Sequence, residues 1–161
     1  MVRYNTIKYN DIANGDGVGV SIFFQGCHFH CPGCFNEETW DLDGGKEWTP
    51  DVQNEVLNKL SANGIQRHLS ILGGEPLLER NIEALHTLCA AAREKYPGIK
   101  IYLWTGYTMD ELLDKVNSNF LLHSLIFELV SVLITGRYEQ DKRDITLKLR
   151  GSWNQEVWQM Q

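Results

Sequence analysis

A chain of 161 residues, 43% hydrophobic and 22% charged, has the length of one domain and the balance of a soluble globular protein. A net charge of −6 without any Lys/Arg block excludes the electrostatic footprint of a nucleic-acid binder. No membrane segment is expected either: the longest apolar run, Phe120 to Ile134, is broken by His123, Ser124, Glu128 and Ser131 and falls short of the roughly 18 residues a span needs.

Met1 to Asn5 has no apolar h-region and no small-residue cleavage site, so a cytoplasmic location is expected. In that setting cysteines serve metals or catalysis more often than disulfides. Tyr4 to Tyr9 is a candidate first strand, and Asn14-Gly15-Asp16-Gly17 is a turn. Val18 to Phe24 reads as a buried strand, and Thr39 to Trp48 as a loop or short hairpin. Thr49 is a good N-cap with Pro50 at the first helical position, and Val52, Val56, Leu57 and Leu60 give that helix one apolar face. Asn63-Gly64 ends it. His68 to Leu72 is a strand, and Glu79 to Tyr96 a helix with Ile82, Leu85, Leu88, Cys89 and Ala92 inward. Lys100 to Trp104 is a strand. Thr108 and Glu111 make a capping box that opens a helix through Val116. A short helix over Phe120 to Leu129, a strand over Ser131 to Thr135 and short β-like pieces between Ile145 and Trp158 complete the chain. Strands alternating with helices predict an α/β fold with a mainly parallel sheet, in one domain over residues 1–161.

Two motifs carry chemistry. Gly26-Cys27-His28-Phe29-His30-Cys31-Pro32-Gly33-Cys34-Phe35-Asn36 places three cysteines at C-x3-C-x2-C directly after the apolar strand. Three thiolates fit a four-iron cluster that keeps one iron open for a substrate, since iron–sulfur clusters normally take four Cys. The alternatives are a three-Cys zinc site completed by His28 or His30, or plain buried thiols. The second motif, Gly73-Gly74-Glu75-Pro76, stands at the C-terminal end of a strand, where open α/β sheets bind ligands. Two glycines there let backbone approach a ligand closely.

In this order the two motifs resemble the radical S-adenosylmethionine (SAM) superfamily. The resemblance implies an incomplete parallel (β/α) barrel and one [4Fe-4S] cluster held by Cys27, Cys31 and Cys34. SAM would be the cosubstrate on the open iron, lying against Gly33, Cys34 and Phe35, with Gly73, Gly74, Glu75 and Pro76 as the second loop. Further segments narrow it: Phe24-Gln25-Gly26-Cys27, Thr39-Trp40, Trp104-Thr105-Gly106-Tyr107, Gly136-Arg137-Tyr138 and Leu149-Arg150-Gly151-Ser152-Trp153-Asn154-Gln155. Together, from about Tyr4 to Gln155, they resemble the activating enzymes of anaerobic (class III) ribonucleoside-triphosphate reductase. That implies reductive cleavage of SAM and abstraction of hydrogen from a glycine of the reductase, leaving a glycyl radical there. It also implies an electron donor such as flavodoxin, and a homodimer or a mixed complex with the reductase. Two positions depart from the pattern: Gly19, where the family often has Arg, and Thr135, where it often has an acidic residue.

A deoxyadenosyl radical needs a site shielded by apolar and aromatic groups. Phe24, Phe29, Phe35, Trp40 and Trp104 are candidates, with core or surface packing the favoured role for Phe24 and Trp104. Cys89 is expected to pack in the core, Glu75 to be structural, and Asp41 and Asp43 to belong to a turn. Arg137, Lys142, Arg143 and Arg150 form a loosely basic region that either faces the partner or is solvated. Two competing readings are an activase of another glycyl-radical enzyme, such as pyruvate formate-lyase, and a non-catalytic zinc-binding interaction module.

Overall fold

The computed structural model describes residues 1–161. A seven-stranded mixed sheet organises it. In chain order the elements are β1 (Arg3–Asp11), β2 (Gly19–Phe24), β3 (Lys46–Glu47), α1 (Pro50–Lys59), β4 (His68–Gly73), α2 (Glu79–Lys95), β5 (Ile101–Trp104), α3 (Met109–Val116), α4 (Phe120–Ser124), β6 (Val132–Thr135) and β7 (Glu156–Gln159). The strand order is β3-β1-β2-β4-β5-β6-β7. The four central strands, β2, β4, β5 and β6, are parallel, whereas β1, β3 and β7 add on antiparallel at the two sides. The expected parallel sheet is therefore its centre only.

The central strands are almost wholly buried, as parallel strands covered on both faces must be. Side chains alternate across the sheet. Val20, Ile22 and Phe24 on β2, Leu69 and Ile71 on β4, and Ile101 and Leu103 on β5 join the main core with Val56, Leu85, Leu88 and Leu122 from the helices. Their neighbours face the other way, where Tyr102, Val132 and Ile134 form a separate small cluster with Trp104, Leu149 and Val157 against it. The helices thus cover one face. The C-terminal segment crosses part of the other, and a cavity opens there.

Local signals placed most helix ends. The Thr49 hydroxyl accepts from the Val52 amide at 3.2 Å, and Thr108 with Glu111 closes a reciprocal capping box at the start of α3. The helix expected over Phe120 to Leu129 is regular only as far as Ser124 and continues as a wider π-helical turn over Leu125–Leu129. Before β7, the C-terminal tail holds no strand beyond a single bridge between Arg143 and Ser152. It is organised by side chains: the Gln155 side-chain oxygen accepts from the Gly151 and Ser152 amides, and its nitrogen donates to the Gly136 carbonyl.

The two family departures have local explanations. Any Cβ at Gly19 would run into the His68 ring, which bonds the Asn14 carbonyl at 2.9 Å and meets Tyr102 edge-on. Thr135 is buried and its hydroxyl accepts from the Trp158 indole at 3.0 Å, pinning β7 to β6. One anchor gave no local signal in the sequence. Arg67 is 5% exposed, and its guanidinium donates to the Asn10 side chain and to the Ala62 and Ile65 carbonyls.

Candidate functional site

The cysteine segment leaves the end of β2 and turns back on itself at the C-terminal edge of the parallel strands. Backbone bonds fix its entry: the Gly26 amide donates to the Thr39 carbonyl and the Cys27 amide to the Trp40 carbonyl. The turn from Cys31 to Cys34 is closed by the Cys34 amide on the Cys31 carbonyl at 3.1 Å. His30 adopts a left-handed backbone, φ 48°, and its ring stacks on Trp40 at 4.6 Å. Both His28 and His30 are exposed.

Cys27, Cys31 and Cys34 line one cavity of about 490 Å³. Each thiol meets backbone N–H groups. Cys34 accepts the Asn36 amide at 3.4 Å, and the Phe29 and His30 amides near Cys27 and the Tyr138 amide near Cys31 favour the thiolate there. Such bonds favour thiolate and tune bound iron–sulfur groups. Burial still pushes the Cys27 and Cys31 thiols above the usual range, so a metal must displace their protons on binding.

The second motif docks directly on the first. The Gly74 amide donates to the Phe24 carbonyl and the Glu75 amide to the Gly26 carbonyl, at 2.9 and 2.8 Å. A Cβ at Gly74 would strike the carbonyls of Gly26 and Thr39. Gly74 is therefore where the two loops join, besides lining the cavity. Glu75 is 1% exposed, and its carboxylate accepts from the Leu77 amide, the Thr105 hydroxyl and the Gly106 amide at 2.8, 2.8 and 2.7 Å. Burial pushes its pKa up to about 7 against those three donors. It ties the loop after β4 to the loop after β5, the structural role expected of it. Gly73, Gly74 and Glu75 line the cavity, but Pro76 does not.

Of the five aromatic candidates, Phe29, Phe35, Trp40 and Trp104 line the cavity, while Phe24 lies in the main core. Trp104 keeps the packing role favoured for it, stacked on Tyr102 at 6.0 Å, and also lines the cavity, where its indole donates to the Leu149 carbonyl at 2.7 Å and tethers the C-terminal segment across the opening. Phe35 packs on Tyr138 and under the Arg143 guanidinium. Asp41 is a turn residue, accepting from the Asp43 amide. The basic group divides. Arg137 and Arg150 line the cavity, while Lys142 pairs with Glu139 at the surface. The wall from Gly136 to Tyr138, including the Tyr138 amide at Cys31, was the part of the site whose geometry sequence reasoning did not reach.

As the side chains stand, no three His, Cys, Asp or Glu groups lie close enough together to hold a metal ion. Both histidines of the segment point to solvent or stack, and Cys89 is fully buried in α2, its thiol pushed up to about 12 by burial. That leaves three thiols and no fourth. Trp40 adds a donor: its indole N–H is buried, lacks a protein acceptor, and belongs to a residue of the cavity wall.

The 4Fe-4S single cluster domain family matches residues 13–158 of the chain. The chain is similar to the anaerobic ribonucleoside-triphosphate reductase-activating protein of Escherichia coli K12, 36% identical over 157 residues that cover 97% of each chain. The proteins of that name from Vibrio cholerae, 33% identical over 97% of each chain, and from Enterobacteria phage T4, 35% identical over 98% of this chain and 94% of the phage protein, align along essentially the same length.

Proposed function

We propose that this chain, which belongs to the 4Fe-4S single cluster domain family and to the family of anaerobic ribonucleoside-triphosphate reductase-activating proteins, is the radical SAM activase that forms the glycyl radical of an anaerobic ribonucleotide reductase. The observation that carries this reading is the convergence of three thiols, the Gly73-Gly74-Glu75 loop and six aromatic side chains on one cavity. Cys27, Cys31 and Cys34 would hold the cluster, and the absence of a fourth cysteine near them leaves one iron for SAM. The cluster, when bound and reduced, supplies the electron that splits SAM into methionine and the deoxyadenosyl radical that takes a hydrogen atom from the partner's glycine.

The chain's own residues position and exclude. Backbone amides at each thiol stabilise the thiolates. The Gly73–Gly74 backbone offers a surface without side chains for SAM, beside Cys34 and Phe35, whereas Gly33 does not line the cavity and stands against the Gln140 side chain. Glu75 holds that surface against the loop after β5. Phe29, Phe35, Trp40 and Trp104 keep water away from a reactive carbon radical. The incomplete (β/α) barrel is the fold-level form of the same reading. It is supported by four parallel strands with helices on one face and the cavity on the other. A flavodoxin-like donor, a cytoplasmic location and a homodimer or mixed complex belong to it as well.

The test is a set of cysteine variants, reconstituted anaerobically with iron and sulfide. Changing Cys27, Cys31 or Cys34 to Ala is expected to abolish cluster binding and deoxyadenosine formation together, while Cys89→Ala keeps both. Retention of the cluster in the Cys31 variant, or its loss in the Cys89 variant, refutes the ligand assignment.

A further inference from the structure

One charged group stands against the cysteine segment without being part of either motif. Arg137 follows β6, and both sides of it are anchored: the Gly136 amide donates to the Tyr107 carbonyl at 3.0 Å, and the Asn154 side chain donates to the Arg137 carbonyl at 2.6 Å. The next residue, Tyr138, brings its amide near the Cys31 thiol. The guanidinium makes a two-pronged pair with Glu111, at 2.8 and 2.9 Å. Glu111 is itself immobilised, since the same carboxylate caps the Thr108 amide at the start of α3. The guanidinium carbon lies 4.3 Å from the Phe29 ring centre. Phe29 stands between Cys27 and Cys31, and its ring also meets His28 at 4.3 Å, Tyr107 edge-on at 5.0 Å, and Gly106, where there is no room for a Cβ beside the ring. Arg137 lines the cavity with the three cysteines, and Glu111 does not.

We propose that Arg137 is a positioning residue that clamps the Cys27–Cys31 turn through Phe29 and, as the cationic end of its pair faces the cavity, sets the reduction potential of the cluster held there. A three-thiolate site becomes more negative when the electron arrives. A fixed positive charge beside it lowers the energy of that state, and net charge and hydrogen bonds are among the protein's levers on cluster potential. An arginine suits this use because it stays protonated and stacks on an aromatic face at the same time. Glu111 fixes where that charge stands.

The proposal rests on the cluster reading of the three cysteines, and its test separates the two. Reconstituted parent, Arg137→Met, Arg137→Lys and Glu111→Gln are titrated with reductant, and the reduced cluster is followed by electron paramagnetic resonance, with iron measured in each. Arg137→Met removes the cation and Glu111→Gln removes its counter-charge, yet both break the same ion pair. The expected result is opposite shifts. At a fixed solution potential the ratio of reduced to oxidised cluster falls about tenfold in Arg137→Met and rises in Glu111→Gln. Tenfold corresponds to about 59 mV for one electron. Arg137→Lys keeps the charge and stays near the parent. Both ion-pair variants at the parent's potential, or both shifted in the same direction, would overturn the electrostatic role. A parent that takes up no reducible cluster would instead overturn the cluster reading, and this proposal with it.

Discussion

Glu75 is a buried carboxylate in the middle of the site, and its protonation should be readable in the stability of the whole protein. Raising its pKa from 4.5 to about 7 makes the ionised side chain cost about 3 kcal/mol of folding free energy. The folded state then binds more protons than the unfolded one between those values, so stability is full below pH 4.5 and is lost as pH rises through about 7. Glu75→Gln keeps the shape and cannot titrate. Its one oxygen can serve Leu77 and Thr105, which share one carboxylate oxygen in the parent. Its amide nitrogen then faces the Gly106 amide, leaving that donor unmet at about 1–3 kcal/mol. The variant should be less stable than the parent at the acid end and close the gap as pH rises. For a chain of this size the gap should narrow by about 6–12 °C in melting temperature across the window, at about 2–4 °C per kcal/mol. Anaerobic thermal unfolding of both proteins on either side of the window measures it. A gap that does not change with pH would show that Glu75 is ionised throughout, held by its three donors, and would refute the reasoning.

Other perturbations follow from particular contacts. Gly74→Val should lower both iron retention and SAM binding, because the added side chain meets the Gly26 and Thr39 carbonyls beside Cys27; normal iron content with weakened SAM binding would show that the loops can part. Arg67→Met should cost about 1.5–3 kcal/mol in chemical denaturation, since the part-buried bonds from its guanidinium to Asn10, Ala62 and Ile65 are lost; a loss below about 1 kcal/mol would contradict it. Trp104→Phe removes the tether to Leu149, so amides from Lys148 to Gln155 should exchange faster with solvent while the central strands stay protected. Uniform exchange in the two proteins would place the hold on that segment elsewhere.

The parts of the site that were legible in the sequence are those written locally. The cysteine spacing, the Gly-Gly-Glu-Pro turn after an apolar strand and the Thr108–Glu111 box each depend on residues within a few positions of one another, and each stands where the pattern put it. The rest depends on pairings between distant segments. Nothing near Arg137 signals that it will lie over Phe29, more than a hundred positions earlier, or that the next amide will come near Cys31. Trp104 packs as expected, against Tyr102, but alternation also turns it to the face where the cavity lies, which its local sequence does not signal. The antiparallel edges escaped for the same reason: β1 and β7 have strand composition, but the direction in which a strand joins its neighbour is set by the route of the chain. Gly74 reads from sequence as a ligand contact, and its tightest constraint is the carbonyl of another loop.

The most direct measurement mixes the anaerobically reconstituted and reduced protein with SAM and an anaerobic ribonucleotide reductase, and records the electron paramagnetic resonance spectrum alongside deoxyadenosine. Deoxyadenosine accompanied by a glycyl doublet on the reductase is the expected result. Deoxyadenosine without the doublet would contradict the assignment of the reductase as substrate, and a colourless protein that keeps zinc and cleaves no SAM would contradict the activase reading altogether.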